Sequence, residues 1–134
     1  LHSRSRRQRQ MCIRDSVTGI IPSFLNKREK IHTKINKIYV TKTMEQRKKK
    51  FLQLSDSFVA LPGGGGTIEE ISLVVSALQL GLIKNKKCIL FNYDNYWLDI
   101  INQYKKVMSS KFAYKNFKDL FLVCKNLKEL KKYY

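Results

Sequence analysis

The sequence predicts an α/β fold, a parallel sheet flanked by helices, and three observations predict it. Short apolar runs alternate with longer amphipathic segments along the chain, the pattern of strands joined by helical crossovers. Two of those runs, at residues 17–22 and 56–61, are closed by a proline at position 22 or 62, which cannot donate to a strand ladder. Between the second run and a long apolar segment stands Leu61-Pro62-Gly63-Gly64-Gly65-Gly66-Thr67-Ile68-Glu69-Glu70, a glycine loop at the junction of a strand and a helix.

Taken in order, residues 1–16 (LHSRSRRQRQMCIRDS) share neither periodicity nor composition with the rest of the chain and read as a non-native or disordered leader. Val17 to Pro22 is the first strand, Asn26 to Thr33 a charged connection, and Ile35 to Thr41 the second strand, with Ile38 and Val40 on one face and Tyr39 on the other. Thr43-Met44-Glu45-Gln46 has the form of a capping box and opens a helix to about Leu54. Asp56 to Leu61 is a buried strand. Thr67 reads as the N-cap of the next helix, with Glu70 three residues on completing a second capping box and Gly81 stopping the helix. Ile68, Ile71, Leu73, Val74, Val75, Ala77, Leu78 and Leu80 make that helix apolar nearly all round, so it is expected to be covered on more than one side. Lys87 to Asn92 is a strand, Trp97 to Met108 a helix, Leu120 to Cys124 a strand and Asn126 to Lys132 a short helix.

Composition removes several function classes. No apolar run approaches the roughly 20 residues needed to span a bilayer, and the chain reads as soluble and cytoplasmic. Cys12, Cys88 and Cys124 lack metal spacing, and the latter two fall in strand-like runs, so they read as reduced thiols in the core. The formal net charge is +17, of which the five Arg and one Asp of residues 1–16 supply +4. The lysines of the remainder are spread along the chain and are not interleaved with aromatics, so no nucleic-acid partner is expected.

The chemistry gathers at the glycine loop. Gly63, Gly64, Gly65 and Gly66 have no Cβ to hold a ligand away, can take positive φ, and lead into a helix whose first N–H groups and dipole attract an anion. The loop lacks the Gly-Lys-Ser/Thr ending of a Walker A loop and does not fit the dinucleotide fingerprint. It reads as a phosphate site, which Thr67 can join while it caps. On the residues alone, Glu70 is equally a capping carboxylate and a group placed beside a bound nucleotide. Arg47, one of two arginines after residue 16, stands in a helix's first turn, where a cation opposes the dipole and calls for an anionic partner.

Pro62-Gly63-Gly64-x-Gly66-Thr67-x-x-Glu70 resembles the PGGxGTxxE signature of the Lonely-guy (LOG) family, cytokinin riboside 5′-monophosphate phosphoribohydrolases and relatives often labelled lysine decarboxylases. Thr43-Met44-x-x-Arg47-Lys48 resembles the family's TMxxRK motif, Gly19-Ile20-Ile21-Pro22 its GVIP strand, Gln79-Leu80-Gly81 its QLG, and Asp94-Asn95-Tyr96-Trp97 its DGYY. The resemblance covers residues 17–134 and implies the C-terminal part of a single Rossmann-like nucleotide-binding domain, with the opening strands and an upstream glycine loop missing. It implies hydrolysis of the N-glycosidic bond of an N6-modified adenosine 5′-monophosphate to free base and ribose 5-phosphate. Arg47 and Glu70 would be catalytic, Lys48, Gly63, Gly64, Gly65, Gly66 and Thr67 would bind the nucleotide, and no metal or cofactor is called for. Relatives are typically homodimers. Tyr96 and Trp97 read as packing residues. Gly65 stands where relatives carry a bulkier side chain, which alters the pocket. The alternatives are a non-catalytic nucleotide or cofactor carrier of the same fold and a nucleosidase acting broadly on nucleoside 5′-monophosphates.

Overall fold

The computed structural model describes residues 16–26, 35–113 and 120–133 of the 134. Two expectations, the leader at residues 1–16 and the connection at 26–33, lie largely outside the described residues. The chain divides into two compact units, Leu1–Gln53 and Leu54–Tyr134. Every described strand pairing is parallel, and helices connect the strands, so the α/β class with a parallel, Rossmann-like arrangement holds.

In the first unit β1 (Thr18–Pro22) pairs with β2 (Lys37–Thr41), in register from Thr18 opposite Lys37 to Pro22 opposite Thr41. Parallel strands need a long crossover, and here it opens with the short helix α1 (Ser23–Asn26). The start of the pair is fixed by Asn36: its side-chain Oδ1 accepts from Val17 N–H at 2.8 Å, and its own N–H donates to Val17 O at 2.9 Å. The expected alternation of β2 is present, with Ile38 and Val40 exposed and Tyr39 half-buried. Helix α2 (Met44–Leu54) follows. Thr43 caps it as expected, Gln46 N–H donating to Thr43 Oγ1 at 3.2 Å, while Gln46 Oε1 reaches one residue past the N-cap and accepts from Lys42 N–H at 2.9 Å.

In the second unit β3 (Ser57–Ala60), β4 (Lys87–Phe91) and β5 (Leu122–Cys124) form a sheet in that order. Strand β4 is central, and Cys88, Ile89 and Leu90 are buried in succession. An unbroken buried run, without alternation, is what a strand covered on both faces requires. Helix α3 (Gly65–Gln79) packs on β3 and β4 and buries Ile71, Val74, Val75 and Ala77. Its end is a full Schellman motif: Gly81 at φ +69° places its N–H on Leu78 O at 3.1 Å and that of Leu82 on Ala77 O at 2.9 Å. The expected glycine stop is therefore found. The helix is not closed all round, because Ile68 and Leu80 remain exposed.

After β4 the chain makes a tight turn, with Asp94 at φ 50° and Asn95 at φ 58°. Asn is among the few residues that tolerate this conformation, and Asn95 occupies the place of the glycine in the DGYY motif. Helix α4 (Leu98–Ser109) buries Ile101. A last short helix, α5 (Leu127–Leu130), is capped by Asn126, whose Oδ1 accepts from Glu129 N–H at 3.0 Å while Glu129 Oε2 accepts from Lys125 N–H at 2.7 Å. Cys88 and Cys124 are free and buried, and burial pushes the Cys88 thiol up to about 12. They are core residues, as expected. Among the described residues no helix is long and apolar enough to cross a membrane, and no three His, Cys, Asp or Glu side chains gather as metal ligands.

Candidate functional site

Strand β3 ends at Ala60 and Pro62 is exposed, so the chain leaves the sheet and runs through Gly63 and Gly64 into α3. The N-cap is Gly64, and the first helical residue is Gly65. This corrects the reading of Thr67 as N-cap with Glu70 as its capping-box partner. Glycines adopt helical angles without needing a side-chain cap, and the helix has grown backwards over two of them. Thr67 N–H and Ile68 N–H both turn on Gly64 O, at 3.0 and 3.2 Å. Thr67 thus lies in the first turn and Glu70 in the second, half-buried, so Glu70 is not at the N3 position that a capping box requires.

The N-cap, Gly64, has no side chain with which to cap this helix, and the first turn carries no acidic residue. The N–H groups of Gly65 and Gly66 have no helical carbonyl behind them to pair with, and together with the dipole they form a positive pole equivalent to roughly half a charge. Above that pole there is room. A Cβ placed on Gly64, Gly65 or Gly66 would meet no atom within 4 Å. Gly63 differs: a Cβ there would strike Thr67 Oγ1 and lie 3.1 Å from Thr67 Cβ. Gly81 is the one described glycine at positive φ, so the freedom to adopt positive φ is not used by Gly63 to Gly66. Their value is the absence of side chains, at Gly63 to let Thr67 pack and at the other three to keep the space over the helix end clear.

The loop is held from the far side of β4 in sequence. Tyr96 OH donates to Gly63 O at 2.9 Å, and the Tyr96 ring meets Trp97 edge-on with centroids 4.9 Å apart. Trp97 is almost wholly buried. Its backbone N–H donates to Asn92 Oδ1 at 2.7 Å, and the buried Asn92 sends its own N–H to Cys124 O, also at 2.7 Å. The glycine loop is in this way tied through a tyrosine to the C-terminal end of the sheet, the end at which open parallel sheets take ligands. Trp97 packs as expected. Tyr96 does not: it is exposed and positions the loop, a role that neither motif nor periodicity signals.

The remaining candidates lie in the first unit. Arg47 and Lys48 stand on α2, with Arg47 N–H on Thr43 O at 3.1 Å and Arg47 Nε donating to Ile20 O at 3.4 Å. The guanidinium therefore has a backbone carbonyl of β1 among its partners. The structure brings Gly63 to Thr67 and Glu70 together on one loop and helix; it places Arg47 and Lys48 on another helix, side by side in sequence.

A family model described as "Possible lysine decarboxylase" matches residues 4–134. Among curated proteins, the chain is 34% identical over 116 residues to cytokinin riboside 5′-monophosphate phosphoribohydrolase LOG4 of Arabidopsis thaliana, a match covering 87% of this chain and 54% of that one. It is 34% identical over 113 residues to the cytokinin riboside 5′-monophosphate phosphoribohydrolase of Rhodococcoides fascians, covering 84% and 57%. It is also 34% identical over 114 residues to a probable enzyme of the same description from Oryza sativa subsp. japonica, covering 85% and 49%. The chain spans about half the length of the curated relatives it matches.

Proposed function

Because the chain belongs to the LOG family, the one whose model is described as possible lysine decarboxylase, we propose that it takes part in hydrolysis of the N-glycosidic bond of an N6-modified adenosine 5′-monophosphate. The observation that carries this reading is the uncapped, side-chain-free N-terminus of α3, joined to relatives named as phosphoribohydrolases of such a nucleotide. A 5′-phosphate seated on the N–H groups of Gly65 and Gly66 has the charge that the helix end attracts. That anchor would orient the ribose and its C1′.

In the proposed reaction a water oxygen bonds to C1′ while the bond from C1′ to the base nitrogen breaks. The bond pair leaves with the base, which takes up a proton, and the water loses one. Positive charge gathers on the ribose at the transition state, as in other glycoside cleavage. Glu70, one helical turn beyond Gly66, is suited to stabilise that charge and receive the proton of the water. Thr67 would donate to the phosphate. The catalytic part given to Arg47 and the phosphate contact given to Lys48 rest on the Thr-Met-x-x-Arg-Lys match. A homodimer belongs to the same reading, supported by Ile68, Leu80 and Leu82, which stay exposed on and just beyond α3; light scattering on the purified protein tests it.

The test is chromatographic detection of free base released from N6-isopentenyl-AMP and from AMP, with Glu70→Gln alongside. Release by the parent and a loss of at least 100-fold in Glu70→Gln, with nucleotide binding retained, is the expected result. Tight binding without release would overturn hydrolysis in favour of a carrier. Equal turnover of all nucleoside 5′-monophosphates would replace the N6-modified substrate with a broad one.

A further inference from the structure

In the first unit, β2 and α2 enclose an open cleft of about 300 Å³ that none of the motifs accounts for. Tyr39, Val40 and Thr41 line it from the strand, and Gln46, Lys49, Lys50 and Gln53 from the helix. The four helical residues are spaced i, i+3, i+4, i+7 and so share one face. Arg47 is not among them, and its Nε turns to Ile20 O on β1. Two ammonium groups and two carboxamides, all able to donate, stand along the helical side of the cleft. Gln46 Oε1 already accepts from Lys42 N–H, which leaves its NH₂ group to donate. The helix's one carboxylate, Glu45, is in its first turn and does not line the cleft.

The charge is concentrated there too. Lys50 Nζ lies 4.5 Å from the centre of the Tyr39 ring and Lys37 Nζ 4.8 Å from it. A hydrogen bond from Lys37, followed by the charges of Lys37 and Lys50 and opposed by burial, draws the Tyr39 phenol below its ordinary range. Ammonium groups gathered at a concave surface repel one another and focus a positive potential into it. An anion relieves that repulsion. A single carboxylate would neutralise one ammonium; a ligand with several charged oxygens engages both lysines and the two carboxamides at once.

We propose that this cleft is a second anion site, one that takes a condensed phosphate, either pyrophosphate or the polyphosphate tail of a nucleotide. Lys49 and Lys50 supply the charge and Gln46 and Gln53 the directed donors. The volume is at the lower end of small-molecule sites, which suits a group of this size. Nothing in the proposal depends on the reaction assigned to the glycine loop.

The test is isothermal titration of the whole chain with pyrophosphate at fixed ionic strength. Lys49→Gln/Lys50→Gln is run beside Lys105→Gln/Lys106→Gln, a charge-matched change on α4, and circular dichroism confirms that each variant is folded. The expected result is binding by the parent, at least tenfold weaker in Lys49→Gln/Lys50→Gln and within twofold of the parent in the α4 variant. Equal losses in the two variants would show that binding follows net charge alone and would overturn the site. Undiminished binding by Lys49→Gln/Lys50→Gln, or none by the parent, would overturn it as well.

Discussion

At the C-terminus of α3, Gly81 sits at φ +69° and its N–H, with that of Leu82, closes on the last turn's carbonyls. At the N-terminus of the same helix four glycines stand in a row, none at positive φ, and three of them face open space. The backbone explains the first glycine completely. It does not explain Gly64, Gly65 or Gly66, which the fold would accept as alanine. The contrast extends to the other long helices. The N-terminus of α2 is closed by Thr43 and Gln46 and carries Glu45, and α4 has Asp99 in its first turn; α3 has neither a side-chain cap nor an acidic residue there. Of these three helices only α3 lacks both a side-chain cap and a first-turn carboxylate, and that difference separates a residue kept for the fold from residues kept for a ligand.

Substitutions at these ends sharpen the contrast. Gly63→Val drives a branched side chain into Thr67, where overpacking costs about 1–3 kcal/mol, and a lowered thermal midpoint is expected with it. Gly81→Ala forces a Cβ into the left-handed region, a loss of about 1–2 kcal/mol in denaturant unfolding. Thr43→Ala removes the α2 cap and costs about 1 kcal/mol by the same measurement. Gly65→Ala, by contrast, leaves stability unchanged or raises it by up to about 1 kcal/mol, while weakening nucleotide binding, because its methyl enters the cleared space. A Gly65→Ala protein as unstable as Gly81→Ala would break the comparison.

Much of this was legible in the residues. The strand closed at Pro22, the Thr43 box and the Gly81 stop each come from a local rule whose cause lies within four or five residues. The Thr67 box failed for a physical reason: Thr-x-x-Glu marks a helix start only if the residues before it cannot be helical, and glycines can. Moving the start to Gly65 also takes Glu70 out of the N3 position, a change that the motif alone could not have supplied. Tyr96 was missed because its hydroxyl meets Gly63 across 33 positions of sequence, a contact set by the pairing of β3 with β4. The division of the strands into pairs β1-β2 and β3-β4-β5 is likewise a matter of register between distant segments, on which periodicity is silent.

The proposed function requires a phosphate at the open end of α3, and calorimetric titration of the protein with AMP and with adenosine tests that most directly. AMP binding at least tenfold tighter than adenosine, an advantage of about 1.4 kcal/mol or more, is the predicted result. Equal affinities would mean that the 5′-phosphate finds no seat on the glycine loop, and would contradict the assignment of that loop as a phosphate site.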